Sequence, residues 1–576
     1  MNENYSFSLV MIAFACVMTL VTLVYVIHCA FSRQAGEICG WEWRGAARRI
    51  AAVARTTMAE GVRAKIASGF ALMILIAVPV FWLTAEGDGT IKGRVQMFIT
   101  YSLGFAGFVL SLLAIFFSCR SLSAEIASRQ IYAIASKPIP RWQLLAGKWV
   151  GIMVFNFSLM LIVAAATYAG TRGIIARFKT HLAHELVTYG GITADQAEAT
   201  VAALDRVKGV GKTGAESPII GVFAETLGWP DQQIQDMLIK LPEATRVDLR
   251  RFDEMRRQVL VARASVSPEL PDLSKVVEEA YQKLKNEQGL PEGWSDSRIR
   301  DEIRNAMMGP LLTVPPGMVR EWRLKGPQPE KKSDFIMSVR FKIQAFADLS
   351  AATINGETLE KDTLLCGWGV GDPSKPTSFE QEAFYPVRTW AEFEIPVNCV
   401  EPDGTIRLFF ANLDPRRVDA TFDLPNGIQV LYRTGSFEKN IFQTALAIMI
   451  PVICLTSFGV CASTFLSLPV GSLIIITLFV LSISMGFVAE SFAATPEYVP
   501  PKPPLDYQIR KAAVDAVGWI LYIGDVDPVR KLIEGRAVGW PVLWENCWKQ
   551  VLIKSLAVMA IGVLILRRRE LAAVIV

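Results

Sequence analysis

The sequence predicts a polytopic α-helical membrane protein carrying a large inserted outer domain, a helical part followed by an antiparallel β-sandwich. Three observations lead there. About seven apolar stretches are near the 20 residues that a helix needs to cross a 30 Å hydrocarbon core. Lys and Arg crowd the short segments that alternate crossings would put on one side. Between the fourth and fifth stretch the hydrophobic period changes from helical to two.

The spanning stretches run near residues 8–31, 66–84, 97–118, 149–170, 441–466, 471–489 and 548–566. The last carries Lys549 and Lys554 in its first half, where a lysine near the membrane surface can snorkel. The 576 residues are 52% hydrophobic and 20% charged, which rules out global disorder. A formal net charge of +4 gives no broad basic surface for nucleic acid. Nine Cys are too few for a disulfide-built scaffold, and three His argue against a multi-His metal enzyme.

Orientation follows from the basic residues. Arg33, Arg44, Arg48, Arg49, Arg55, Arg63 and Lys65 lie between the first two stretches. Arg120, Arg129, Lys137, Arg141 and Lys148 lie between the third and fourth, and Arg567, Arg568 and Arg569 follow the last. Seven crossings put all of these in the cytoplasm, with the N-terminus outside and the C-terminus inside. The expected location is a bacterial cytoplasmic (inner) membrane. Residues 1–8 hold Glu3 and no basic residue, which fits a retained first helix better than a cleaved signal peptide.

Residues 171–440 and 490–547 then fall outside. The first is long enough for its own core. Residues 171–315 read as helices, among them 181–189, 194–207, 230–240, 243–264, 273–287 and 297–308, punctuated by prolines. Residues 316–437 read as strands. Val339, Phe341 and Ile343 alternate with polar residues, as do Ala391, Phe393 and Ile395, and Ile406, Leu408 and Phe410. Cys366 and Cys399 lie in this sandwich, either as a disulfide favoured by an oxidising exterior or as two separate buried thiols.

Catalytic motifs are weak. Gly209-Val210-Gly211-Lys212-Thr213 lacks the first glycine of a phosphate loop, since position 206 is Arg, and it follows a helix rather than a strand. It reads as a loop, leaving no nucleotide site in this chain. His181 and His184 share one helix face without an identifiable third ligand. Asp195/Glu198 and Asp414/Asp419 read as solvated faces, and Trp368 and Trp390 as core aromatics. No cofactor is expected in the chain.

The cytoplasmic segments are more specific. Residues 41–66 form a basic amphipathic helix with Ile50, Ala54, Met58, Val62 and Ile66 four apart, suited to lying at the inner interface. The loop 119–148 reads as a helix, a rigid Pro138-Ile139-Pro140 break, and a second helix starting at Pro140. Lys137 and Arg141 sit at that bend, a docking knob for a soluble partner.

In order along the chain, these features resemble the ABC-2-type permease subunits of ATP-binding-cassette transporters. The elbow is Ala54-Arg55-Thr56-Thr57-Met58-Ala59-Glu60-Gly61-Val62-Arg63-Ala64-Lys65. The loop is Glu125 … Ser136-Lys137-Pro138-Ile139-Pro140-Arg141 … Gly147-Lys148. Near the end come Glu534-Gly535-Arg536-Ala537-Val538-Gly539-Trp540 and Arg568-Arg569-Glu570-Leu571. The resemblance implies that Glu125, Lys137, Pro138, Pro140, Arg141, Trp142, Gly147 and Lys148 belong to an element that docks a separate cytoplasmic ATPase, which holds ATP and Mg. It implies a six-helix core, an interfacial elbow bearing Arg55, Glu60, Arg63 and Lys65, and a second permease copy or homologue. The extra N-terminal helix and the long outer insert depart from the common pattern and leave the substrate and direction of transport open.

The residues alone point the same way. With no ATP site and hardly any acidic residue inside the spans, neither self-powered nor ion-coupled transport fits, and a docked engine remains. Residues 490–547, with a Pro-rich run at 496–504 and an apolar stretch at 516–523, would form a gate. The outer domain would meet cargo or an envelope partner. The alternative is a non-transporting membrane-anchored assembly or sensor protein whose sandwich binds a partner. An envelope enzyme lacks any catalytic constellation.

Overall fold

The computed structural model describes residues 42–129, 139–204, 218–268, 272–287, 296–327, 337–345, 352–354, 357–359, 361–375, 378–424, 426–494 and 527–568. The first expected spanning helix (8–31), the Gly209–Thr213 motif, Lys137, Pro138, most of the expected gate and the chain after Arg568 lie outside the described residues.

Helix α1 (Glu42–Arg63) is followed at once by α2 (Lys65–Thr84), α3 (Ile91–Ala127) and α4 (Arg141–Thr188). After the insert come α11 (Phe437–Ser463), α12 (Leu468–Ala494), the short α13 (Pro528–Ile533) and α14 (Trp540–Asn546). A π-helical stretch (Cys547–Ser555) then runs into α15 (Leu556–Arg568). Among the described residues, five helical segments are long and apolar enough to cross a membrane: Ala67–Thr84, Ile91–Ala127, Arg141–Thr188, Phe437–Ser463 and Trp540–Arg568. A shorter apolar piece, Leu468–Ser484, belongs to α12. α11 is the central helix, burying Ile441, Ala445, Val452 and Val460. α2 and α12 lie outermost, exposing Leu72, Leu75, Ile76 and Leu83, and Leu473, Val480 and Ile483. Runs of exposed leucine and isoleucine on a folded helix mark a surface whose solvent is not water.

Between α4 and α11 the chain builds α5 (Ala194–Ala203), α6 (Pro218–Leu227), α7 (Asp231–Lys240), α8 (Glu243–Gln258), α9 (Ser274–Glu287) and α10 (Asp296–Leu312). Two features differ from the sequence reading. α4 does not stop at Gly170 but continues through His181 to Thr188, because no proline or αL glycine interrupts it. Its extension packs on α8, with Phe178 stacked on Phe252 at 5.2 Å. Trp82 donates to the Gly170 carbonyl at 3.0 Å and carries the Arg177 guanidinium over its ring, an aromatic and cation pairing suited to a membrane boundary. The second difference is at residues 261–266, expected as the end of a helix. They form strand β1 (Val261–Val266), since their hydrogen bonds are satisfied by a strand far along the chain.

The strand-rich region contains β2 (Thr313–Val314), β3 (Val319–Lys325), β4 (Met337–Gln344), β5 (Ala352–Ile354), β6 (Glu357–Leu359), β7 (Thr363–Val370), β8 (Phe379–Pro386), β9 (Trp390–Ile395), β10 (Thr405–Asn412), β11 (Ala420–Phe422) and β12 (Ile428–Ser436). One antiparallel sheet runs β1-β12-β4-β11-β2, with β9 also on β4; the other runs β3-β10-β7-β8. Alternation works as expected: Val339, Phe341, Ile343, Ile406, Leu408 and Phe410 are all buried in one core. Trp368 is its centre, 4.5 Å from Phe341 and 4.9 Å from Phe410 between ring centroids. Cys366 and Cys399 are both buried and are not joined to each other, and burial pushes both thiols up.

The sheets join the spanning helices through two chain segments and a set of ion pairs. β12 passes directly into α11, with Ser436 ending the strand and capping the helix. Residues 533–538 run between β1 and the bundle. Arg263 N donates to Gly535 O at 2.8 Å and Ala537 N to Arg263 O at 2.7 Å. Gly535 has φ +63°, and a side chain there would run into the Gln258 carbonyl. From the bundle, the buried Asn440 amide donates to Arg536 O at 3.0 Å and accepts from Val538 N at 3.1 Å. Gln96 of α3 donates to Ile533 O at 2.9 Å. Charges complete the joint: Arg340 with Glu534 at 2.7 Å, Arg263 with Glu392, and Lys92 with Glu254 at 3.2 Å. They line a polar cavity of about 490 Å³.

Burial pushes the Glu534 carboxyl up, but Arg340 and Arg530 outweigh it and hold the group below its usual value. A depressed folded value stabilises the joint while Glu534 is ionised, above the ordinary glutamate range, and that contribution fades as pH falls below about 4.3. Amide exchange at Arg263 and Ala537, corrected for intrinsic rates, is therefore expected to accelerate from pH 6 to pH 3.5. In Glu534→Gln it should already be fast at pH 6 and change little further. Equal protection in both proteins at both pH values would remove Glu534 from this role.

Candidate coupling site

The site is built where α1, α3, α4 and α15 meet. The expected elbow stripe packs in part: Ala54 is buried and Ile50 and Met58 are half-buried. The buried residues are Ala46, Ala51, Ala54, Thr57 and Gly61, while Val62 is 67% exposed. The reason lies on α4, where Gly147 and Gly151 stand one turn apart. A Cβ on Gly147 would sit 2.6 Å from Val53 Cβ and 2.9 Å from Ile50 O, and one on Gly151 would sit 2.7 Å from Ala54 O. The two backbones touch, so α1 must present its small residues, the small-xxx-small packing that works in an apolar solvent. Arg49 Nε, donating to Gln143 Oε1 at 2.6 Å, fixes the sliding register. Arg55, Glu60, Arg63 and Lys65 all point to the exposed side of the elbow.

At the other face of α4 stands a buried ion pair. Lys148 Nζ donates to Glu125 Oε1 at 2.6 Å and to Ser121 O at 2.8 Å. The side chains are 2% and 10% exposed. This ties the last turns of α3 to the first turns of α4, the two limbs of the expected 119–148 loop. Desolvating both charges is costly, and a short contact with a second acceptor for the ammonium offsets that cost.

Arg141, expected at the docking tip, turns inward. Its guanidinium donates to the Leu566 carbonyl and to Arg567 O at 2.9 Å. Carbonyls at a helix C-terminus lack intrahelical partners, so Arg141 acts as the cap of α15. α15 also lies close on α4 and α11 at Gly562, where a Cβ would stand 3.2 Å from Leu145 and 3.3 Å from Cys461. Pro140 takes the position before α4 with extended backbone, and Trp142 in the first turn is 36% exposed. At the far limb, Arg129 turns the chain out of α3 with φ +60°. Lys137 and Pro138 lie outside the described residues. The Arg49–Gln143 contact and the Arg141 cap were not anticipated; the Gly147/Gly151 spacing was the visible clue to the elbow's seat.

The other expected candidates do not assemble. His181 lies on the exposed face of α4, 3.7 Å from Glu185, and His184 is exposed. Asp195, Glu198 and Asp419 are exposed. Asp414 is buried as a turn acceptor for Leu365 N and Arg416 N. Trp368 is core, and Trp390 lies 4.4 Å under Arg340.

Residues 8–194 match the family model described as ABC-2 family transporter protein. The matched stretch contains α1 to α4 and so every coupling-site residue apart from those on α15. No curated protein and no solved structure matches the chain.

Removing one partner of a buried ion pair leaves an uncompensated charge. Lys148→Met is expected to destabilise the detergent-solubilised protein by about 3–5 kcal/mol. Adding Glu125→Leu should recover most of that loss. Thermal unfolding followed by tryptophan fluorescence measures both, and a Lys148→Met midpoint equal to wild type would refute the pairing.

Proposed function

We propose that this chain is the membrane-spanning permease subunit of an ABC transporter. A separate cytoplasmic ATPase docks on the 119–148 loop, and ATP and Mg are held there, not in this chain. The observation that carries the reading is the family match over residues 8–194, on the same residues that build the coupling site. Two copies of the permease, or this chain and a homologue, form the working unit in the lipid bilayer.

The geometry supports a mechanism. A push on the loop between α3 and α4 acts on both helices together, because Glu125 and Lys148 join them. α1 moves with α4, since their backbones are in contact at Gly147 and Gly151. α15 follows through the Arg141 cap. At its other end α3 holds the joint through Lys92 and Gln96. Tilting the bundle therefore shifts the segment 533–538 and the sheets above it.

The remaining placement belongs to the same proposal. Seven crossings, counting residues 8–31, put the N-terminus outside and the basic C-terminus in the cytoplasm of a bacterial inner membrane. The two sheets then form an extracytoplasmic sandwich that meets cargo or an envelope partner, and residues 490–547 gate the path between the helices. Glu125, Gly147, Lys148 and Arg141 position the coupling loop, and the exposed Trp142 with Lys137 and Pro138 forms its contact surface.

Co-purification from mild detergent tests this. Wild-type protein should bring down an ATPase with vanadate-sensitive hydrolysis. A Lys137→Glu, Trp142→Glu double variant should retain its fold and lose at least about tenfold of the bound ATPase, an effect of 1.4 kcal/mol or more. If folded wild type brings down no ATPase, the permease reading fails and a membrane-anchored assembly or sensor protein takes its place.

A further inference from the structure

The sheet β3-β10-β7-β8 has a second face, turned away from the core, and its register is unusual. Two rungs cross it. One runs Val319, Ala411, Gly367, Glu382; the other Glu321, Phe409, Gly369, Glu380. β7 is an interior strand, yet both of its residues on these rungs are glycine. Glycine inside a strand weakens it and offers no side chain to pack, and its usual reason is the close approach of a ligand or another backbone. Neither glycine has a positive φ; a Cβ would crowd Phe409 at 3.3 Å from Gly369 and Leu413 at 3.2 Å from Gly367.

The result is a trough of about 290 Å³ whose floor is open at Gly369, while Gly367 is buried beside Ala411 and Leu413. Its walls differ in chemistry. On one side stand Phe409, Ala411, Leu413 and Val319, the last two 38% and 65% exposed. On the other side stand the exposed carboxylates of Glu380 and Glu382. Elsewhere on this sheet acidic groups are paired, Glu321 with Arg323 and Glu401 with Arg407. Among the described residues, neither Glu380 nor Glu382 has an ion-pair partner and no cation lines the trough.

We propose that this trough binds an extended polypeptide segment of a partner protein that alternates apolar and basic side chains. The open floor at Gly369 admits a backbone, the Phe409 wall takes the apolar side chains, and Glu380 and Glu382 take Lys or Arg. Charge complementarity selects this occupant. A neutral glycan could use the same carboxylates as acceptors, but two neighbouring carboxylates without a cation beside them are better matched by a basic segment. The inference does not depend on the transport reading.

The full chain in detergent, titrated with a fluorescent Lys-Val-Lys-Val-Lys peptide, provides the test. Controls are Glu-Val-Glu-Val-Glu and a labelled chito-oligosaccharide. Wild type is expected to bind the basic peptide at least about tenfold more tightly than the acidic one, and more weakly at high salt. Glu380→Gln, Glu382→Gln, exposed changes that leave the core intact, should remove that preference. Gly369→Val, which fills the floor, should abolish binding of the peptide. Equal binding of both peptides, no binding of the basic peptide, preference for the oligosaccharide, or a glutamine variant that binds as wild type would each overturn the proposal.

Discussion

Strand β12 enters helix α11 without a single linking residue, and this continuity constrains everything above and below it. A strand fixes its side chains at two faces and a helix fixes its own at 100° steps, so the orientation of the sheet follows from that of the helix. Ser436 serves both elements, accepting from Lys439 N as a helix cap. Given that fixed exit, β1 can reach β12 only if α8 ends close to it, and the segment 533–538 can return only along β1. The polar groups there are satisfied accordingly. Asn440, completely buried near the start of α11, uses both ends of its amide on that returning segment. A buried amide with both ends satisfied specifies one arrangement, because any shift leaves a donor or acceptor unpaired.

Two chemistries hold the bundle, and each fits its surroundings. Where helices meet at the level of the coupling site, backbone contact through Gly147 and Gly151 replaces the hydrophobic effect, which is lost against lipid. Where helix ends leave the apolar zone, charged and polar groups take over: Lys148 with Glu125, Arg141 on the last carbonyls of α15, Arg177 on Trp82. Arg141 illustrates why a residue's type alone did not give its role. A basic residue beside a Pro-x-Pro bend reads as an exposed contact. The carbonyls of a helix hundreds of residues later compete for it, and an unsatisfied helix end wins.

Much of the fold was legible because the required patterns are narrow. A spanning helix needs a long apolar run, and six of the expected runs coincide with described apolar helices. The strands around Phe341, Phe393 and Phe410 announced themselves by alternation. The rest was hidden by distance along the chain. Val261–Val266 contains Ala and Arg, which suit a helix, and its partners lie remote in sequence; the Thr434 hydroxyl bonds Ala262 O across 172 residues. The continuation of α4 past Gly170 was masked by a change of solvent rather than of structure. Arg172 and Arg177 end the apolar run without ending the helix. The elbow's second seat, small residues against Gly147 and Gly151, was hidden because only the partner helix reveals it.

α3 and α4 derive their mechanical value from length. At about 1.5 Å per residue, a helix of 37 residues reaches about 55 Å, and one of 48 residues about 72 Å, well beyond the hydrocarbon core. Both therefore project from the apolar zone, and their projecting ends carry the polar contacts. The middle of each helix packs on its neighbours mainly through apolar side chains. The ends are held by ion pairs and amide contacts that resist displacement. A rod held at both ends passes a force from one end to the other, so in the proposed permease a push at the 119–148 loop would reach the joint at the far end of α3.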